Sequence, residues 1–186
     1  MRDTDAMAMA RSAAIVFGGA AWTRATRRAN GGFRAWMNSR PALNSAWFPE
    51  DTMPFCPHLA EQWMRQLGLW RSRPLRLVGF SAGCVAMQAI AAELGSDCVK
   101  AIVAVDGWCV PLDSMAAPVY RLSHDLITHE NGLAWGGGCA QFYADPAVSH
   151  LYLWGNPERV RGWQLSDLGR KRTTAANFLC DVLLQR

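Results

Sequence analysis

Lysine is almost missing from this sequence of 186 residues: only Lys100 and Lys171 occur, so the net charge of +4 rests on arginine. Five of the arginines, Arg24, Arg27, Arg28, Arg34 and Arg40, fall within one segment. A nucleic-acid role needs such a basic patch together with a recognisable module. No helix-turn-helix, zinc-finger or RNA-binding signature accompanies it, so the patch is read as a solvated face. Long apolar runs are lacking too. Nothing approaches the roughly 18 apolar residues that cross a bilayer, and no membrane span is expected. The six cysteines, Cys56, Cys84, Cys98, Cys109, Cys139 and Cys180, form no CxxC pair and no Cys/His group with zinc-site spacing. No metal is therefore expected. Cysteine inside apolar runs packs as a small hydrophobe, and the expected setting is reduced and cytoplasmic. Residues 1–21 loosely imitate a secretion signal, but Asp3 and Asp5 stand where positive charge belongs, and glycines cut the apolar run.

What is present suits one globular domain over residues 1–186. Apolar residues make up 51% and charged ones 18%, with nine tryptophans to fill a core or line a cleft. Residues 13–17 (AAIVF) form a β-branched apolar run that ends in Gly18-Gly19, as a buried strand entering a tight loop would. Residues 21–57 show no sustained period beyond a short strand at 46–48. Leu59, Trp63 and Leu67 mark an amphipathic helix from His58 to Leu69, stopped by Gly68.

Residues 75–80 (LRLVGF) then read as a strand, residues 82–94 as a helix closing at Gly95, and residues 100–105 (KAIVAV) as a strand covered on both faces. Strand, helix and strand within about 30 residues make a βαβ unit. Further on, a strand is expected at 119–124, a break or mobile loop at Gly136–Gly138, a short strand at 151–154 and a terminal helix over 173–184, capped by Thr173 or Thr174.

Gly79-Phe80-Ser81-Ala82-Gly83 matches the G-x-S-x-G pattern, with a strand before it and a helix directly after. A serine on so sharp a turn projects beyond the sheet, and the following helix directs free N–H groups and its positive dipole end toward it. These residues in that setting resemble the nucleophile elbow of the α/β-hydrolase superfamily. The resemblance implies an α/β fold: a single three-layer domain with a mostly parallel sheet, here reduced in size and without a large lid. It also implies that Ser81 is a nucleophile and that the oxyanion donors are the Ala82 N–H and backbone near Gly19. No cofactor is required.

A serine needs a base oriented by a carboxylate. Of the four histidines, His58 precedes the elbow and is out of family order. His150 is expected to begin a strand at the sheet end opposite the elbow, in a structural role. The candidates are therefore His129, preferred because it would follow the strand at 119–124 in a carboxyl-edge loop, and His124. Residues 121–129 also faintly resemble the histidine-bearing loop of carrier-protein methyl-ester esterases of biotin synthesis. Asp106, which ends the strand before Gly107, leads as the acid. Asp125, four residues before His129, competes, and Asp145 is third.

Larger family members carry the histidine after the last strand, before the final helix. Here residues 155–172 contain none, which leaves either a base moved to 124–129 or a degenerate hydrolase. The leading expectation is a serine esterase or thioesterase acting on a small acyl substrate, free or carrier-bound, with Trp22, Trp108 and Trp135 available to line an acyl cleft. The alternatives are a non-catalytic small-ligand or partner-binding protein of the same fold, and an acyltransferase with the same residues.

Overall fold

The computed structural model describes residues 14–40, 42–43, 45–48, 56–70, 74–107, 117–124, 140–166 and 169–184. Within them the chain runs β1 (Ala14–Phe17), α1 (Arg24–Asn38), β2 (Ser45–Trp47), α2 (Pro57–Gln66), β3 (Leu75–Phe80), α3 (Gly83–Cys98) and β4 (Val99–Val105). It continues with β5 (Val119–Ser123), β6 (Gln141–Ala144), α4 (His150–Gly155), β7 (Arg161–Ser166), β8 (Gly169–Thr174) and α5 (Ala175–Leu183). The strands form one sheet in the order β2-β1-β3-β4-β5-β6-β7-β8. The first six are parallel, and β7 and β8 join antiparallel at one edge. The protein is therefore an α/β fold built on a mostly parallel sheet.

Side chains of a strand alternate between faces, and the core divides accordingly. Val16, Val78, Val103 and Leu122 belong to one apolar cluster with Phe33 of α1, Trp154 of α4 and Phe178 of α5. Ile15, Leu77, Ile102 and Ala104 belong to the other, with Met64 of α2 and Met87 and Ile90 of α3. Both faces of the central strands are thus covered, which is why those strands are continuously apolar in sequence. No helix of the described residues is long and apolar enough to cross a membrane.

Three expectations are corrected. Residues 24–38, within the stretch expected to be irregular, form the longer of the two helices before β3. Thr23 caps α1 by accepting a hydrogen bond from the Thr26 N–H at 3.1 Å, and Ala29, Asn30, Phe33, Trp36 and Met37 make its buried face. Arginines and the Gly31-Gly32 pair mask that period. Residues 151–154, expected as a strand, lie in α4, whose Ser149 cap accepts from the Tyr152 N–H at 3.3 Å. The Leu-Tyr-Leu-Trp alternation fits a strand equally well, and only the capping serine tells them apart. Gly95, expected as a helix end, adopts φ 66° inside α3 and kinks it, and the helix resumes to Cys98. The expected glycine loop at 136–138 lies outside the described residues.

The two glycines of α1 separate local from tertiary effects. A Cβ on Gly31 meets nothing within 4 Å, whereas one on Gly32 would stand 2.4 Å from the carbonyl oxygen of Gly155 in α4. Gly31→Ala is expected to raise stability by about 0.5–1 kcal/mol through helix propensity. Gly32→Ala should lower it by about 1–3 kcal/mol by forcing α1 from α4. Urea denaturation midpoints read both, and equal shifts of the same sign would contradict this packing.

Candidate functional site

The parallel sheet grows in opposite directions from β1: β2 is added on one side and β3 on the other. The loops leaving β1 and β3 therefore part toward opposite faces, opening a crevice at the carboxyl ends of those strands. Ser81 lies there. Its φ of 51° falls in the left-handed region, at a cost of roughly 1–2 kcal/mol for a residue with a side chain. The turn is held from both sides. The Ser81 N–H donates to the Val105 carbonyl at 3.0 Å, extending the β3–β4 ladder, and the Ser81 carbonyl accepts the Cys84 N–H at 3.1 Å. Gly83 brings the start of α3 onto the β1 loop so closely that a Cβ there would lie 2.3 Å from the Phe17 carbonyl oxygen.

The loop after β1 passes directly beside the serine: a Cβ built on Gly19 would lie 3.6 Å from the Ser81 Cβ. Asn30, fully buried in α1, donates through Nδ2 to the Gly19 carbonyl at 3.3 Å and accepts the Trp154 indole N–H at 2.9 Å. Because carbonyl and N–H point oppositely across a peptide, fixing the Gly19 oxygen on Asn30 directs the Ala20 N–H the other way. Among the described residues the Ala82 N–H has no backbone acceptor. Ser81, Ala82, Ala20 and His150 all border a single cavity of about 320 Å³, and the exposed Trp22 stands at its rim.

His150 reaches this cavity from the first turn of α4. Its ring stacks on Phe80 with centroids 4.5 Å apart, Phe80 stacks on Trp154 at 4.7 Å, and Trp154 stacks on Phe33 at 3.7 Å. The column fixes the imidazole relative to the residue that immediately precedes Ser81. Its Nδ1 lies 3.2 Å from Asp106 Oδ2. No hydrogen bond joins Ser81 to His150 among the described residues. Such bonds commonly shorten only when substrate is bound.

Asp106 follows β4 with φ 43° and a side chain only 2% exposed. Its N–H donates to the Leu122 carbonyl, Oδ1 accepts the His124 N–H at 2.8 Å, and Oδ2 lies 2.8 Å from His124 Nδ1. One carboxylate oxygen thus serves two imidazoles. An ionised carboxylate only accepts, so each Nδ1 must carry a proton, and a neutral His150 then keeps its lone pair on Nε2. Burial pushes the Asp106 carboxyl upward. The hydrogen bonds from the two rings and the His124 N–H, with the attraction of His124, outweigh burial and hold it below its ordinary value.

Ser81, Ala82, Gly19, Asp106 and His124 therefore converge on one end of the sheet. His129, Asp125, Trp108 and Trp135 lie outside the described residues. Asp145 forms an ion pair with Arg172 on the β7–β8 side, and His58 sits in the first turn of α2. His150, placed by sequence at the far end of the sheet, instead begins α4 beside the elbow. Residues 141–144 form the last parallel strand, and His150 is the histidine that follows it, with β7 and β8 still to come before the final helix. That parallel strand is only four residues long, too short to show the enclosed apolar run that marks β3 and β4.

Asp106→Asn keeps a residue that tolerates a left-handed backbone and an acceptor for the His124 N–H, but removes the charge. A depressed carboxyl contributes stability above the unfolded value of about 3.9 and loses it as pH falls through the folded value. The variant should be less stable than the parent at neutral pH, and the difference should shrink as pH falls below about 4. A difference that grows on acidification, in urea midpoints taken across that range, would contradict the assignment. No protein-family model matches this sequence, and no curated protein matches it significantly.

Proposed function

We propose that this chain is a serine hydrolase of the α/β-hydrolase type that cleaves carboxylic esters or thioesters. The carrying observation is a serine in a left-handed strand-to-helix turn that shares a cavity with an imidazole whose other ring nitrogen rests on a buried carboxylate. Helices on both faces of a mostly parallel sheet agree with a reduced three-layer member of that superfamily.

In this reading Ser81 Oγ attacks the acyl carbon while His150 Nε2 takes its proton. Asp106 holds the ring in the required tautomer and favours the imidazolium as it forms. The Ala82 N–H and the Gly19–Ala20 peptide receive the developing oxyanion. The imidazolium then protonates the departing alcohol or thiol. Water, activated by the same imidazole, attacks the acyl-enzyme, and the carboxylic acid leaves with Ser81 restored.

His150 is preferred to His124 because only His150 borders the cavity that contains Ser81. His124 borders a second cavity of about 780 Å³, lined by Tyr143, Val148, Trp163 and Leu165 among others. That apolar space beside the shared carboxylate supports a substrate with an apolar acyl or alcohol part.

Hydrolysis of p-nitrophenyl acetate and butyrate tests the proposal. Ser81→Ala should abolish turnover above background, and His150→Ala should lower kcat by roughly 10³-fold or more. His124→Ala should cost about tenfold, since the carboxylate keeps the backbone donor at position 124. A larger loss in His124→Ala than in His150→Ala would move the base to His124. Wild-type hydrolysis no faster than Ser81→Ala would leave a ligand-binding protein of the same fold.

A further inference from the structure

We propose that Asp106, His124 and His150 form a binding site for a divalent transition-metal ion of the Zn²⁺ type, and that the bound ion switches the hydrolase off. A hydrolytic site needs one imidazole on its carboxylate. Here a second ring, His124, shares the same oxygen, and it is not the ring that borders the serine's cavity. One ligand atom from each of the three residues can be chosen so that all lie within 4.8 Å of one another. Two imidazole nitrogens and one carboxylate oxygen are a donor set that suits zinc and its neighbours.

The spacing is close to what an ion requires. With metal–ligand bonds of about 2.0–2.1 Å, neighbouring ligand atoms stand roughly 3–3.4 Å apart. The two Nδ1···Oδ2 separations are already 2.8 and 3.2 Å. The third edge is no longer than 4.8 Å for one choice of ligand atoms. The carboxylate is preset, because the His124 N–H holds Oδ1 and leaves Oδ2 facing both rings. The rings are 27% and 35% exposed, so an ion has access and a fourth position stays open to water.

Coordination changes the chemistry of His150 without adding or removing a proton. The ion takes the Nδ1 lone pair, so the proton that Nδ1 carried toward Asp106 moves to Nε2. In the hydrolase reading, Nε2 is the atom that takes the serine proton. The imidazole thereby becomes a donor toward the serine and can no longer act as its base. Ion binding stands on the donor cluster alone, whereas inhibition rests on the serine-hydrolase reading above.

Zn²⁺ titration of the full chain by calorimetry, with Co²⁺ absorption as a second readout, tests binding directly. Wild type and Ser81→Ala should each bind one ion with the same Kd. His124→Gln and Asp106→Asn, checked for folding by circular dichroism, should bind at least about tenfold more weakly. Ester hydrolysis by wild type should fall with a Zn²⁺ midpoint equal to that Kd, and residual turnover of His124→Gln should need about tenfold more ion. Absence of binding to wild type at millimolar Zn²⁺, or equal affinity in a folded His124→Gln, would overturn the site. Binding without loss of turnover would overturn the switch. Because Ser81→Ala binds but does not turn over, failure of the hydrolase reading is seen separately from failure of the metal site.

Discussion

The arrangement depends on one constrained reversal of the backbone, at the junction of β3 and α3. A chain leaving a central strand must turn sharply to lay a helix back on the same sheet. Ser81 makes that turn in a left-handed conformation. What compels it is burial on both sides: β3 is wholly enclosed, and α3 sinks Cys84, Ala86, Met87 and Ile90 against one face. Met87 and Ile90 alone contribute roughly 1.5–3 kcal/mol each, so the turn's strain is easily outweighed. The serine hydroxyl is consequently carried by rigid elements on either side, rather than by a loop free to relax.

The same logic governs the partners of the serine. Asp106 also has a left-handed backbone, at the end of the adjacent strand, and its N–H is tied to β5. A carboxylate so enclosed is tolerable only because its oxygens are met by three N–H groups. The aromatic column from His150 through Phe80 and Trp154 to Phe33 links the imidazole to the core. Asn30 ties the loop after β1 to that column through Trp154. Two strands, two loops and α4 are thus fastened around one cavity by contacts that are buried or half-buried.

Sequence made the first half of this legible. The apolar runs of β1, β3 and β4 and the strand-turn-helix at Gly79–Gly83 are short-range signals, and they marked Ser81, Ala82, Gly19 and Asp106. The second half was opaque for physical reasons. Strand β6 is four residues long, and β8 is an edge strand whose residues 169–172 are exposed, so neither shows the enclosed apolar pattern. Helix α1 conceals its buried stripe among arginines and a glycine pair, of which only Gly32 serves packing. Nothing local links His150 to Asp106, since their contact spans 44 residues. The sharing of one carboxylate oxygen by two rings is a tertiary fact with no local signature.

The central claim is that Ser81, His150 and the N–H groups flanking the serine act together on one acyl carbon. A crystal structure after reaction with a fluorophosphonate addresses it directly. The account predicts phosphorus bonded to Ser81 Oγ, the phosphoryl oxygen within hydrogen-bond distance of the Ala82 and Ala20 N–H groups, and His150 Nε2 facing the serine oxygen. Phosphorus on another residue, or a Ser81 adduct approached by a different imidazole with its oxygen turned away from those N–H groups, would contradict it.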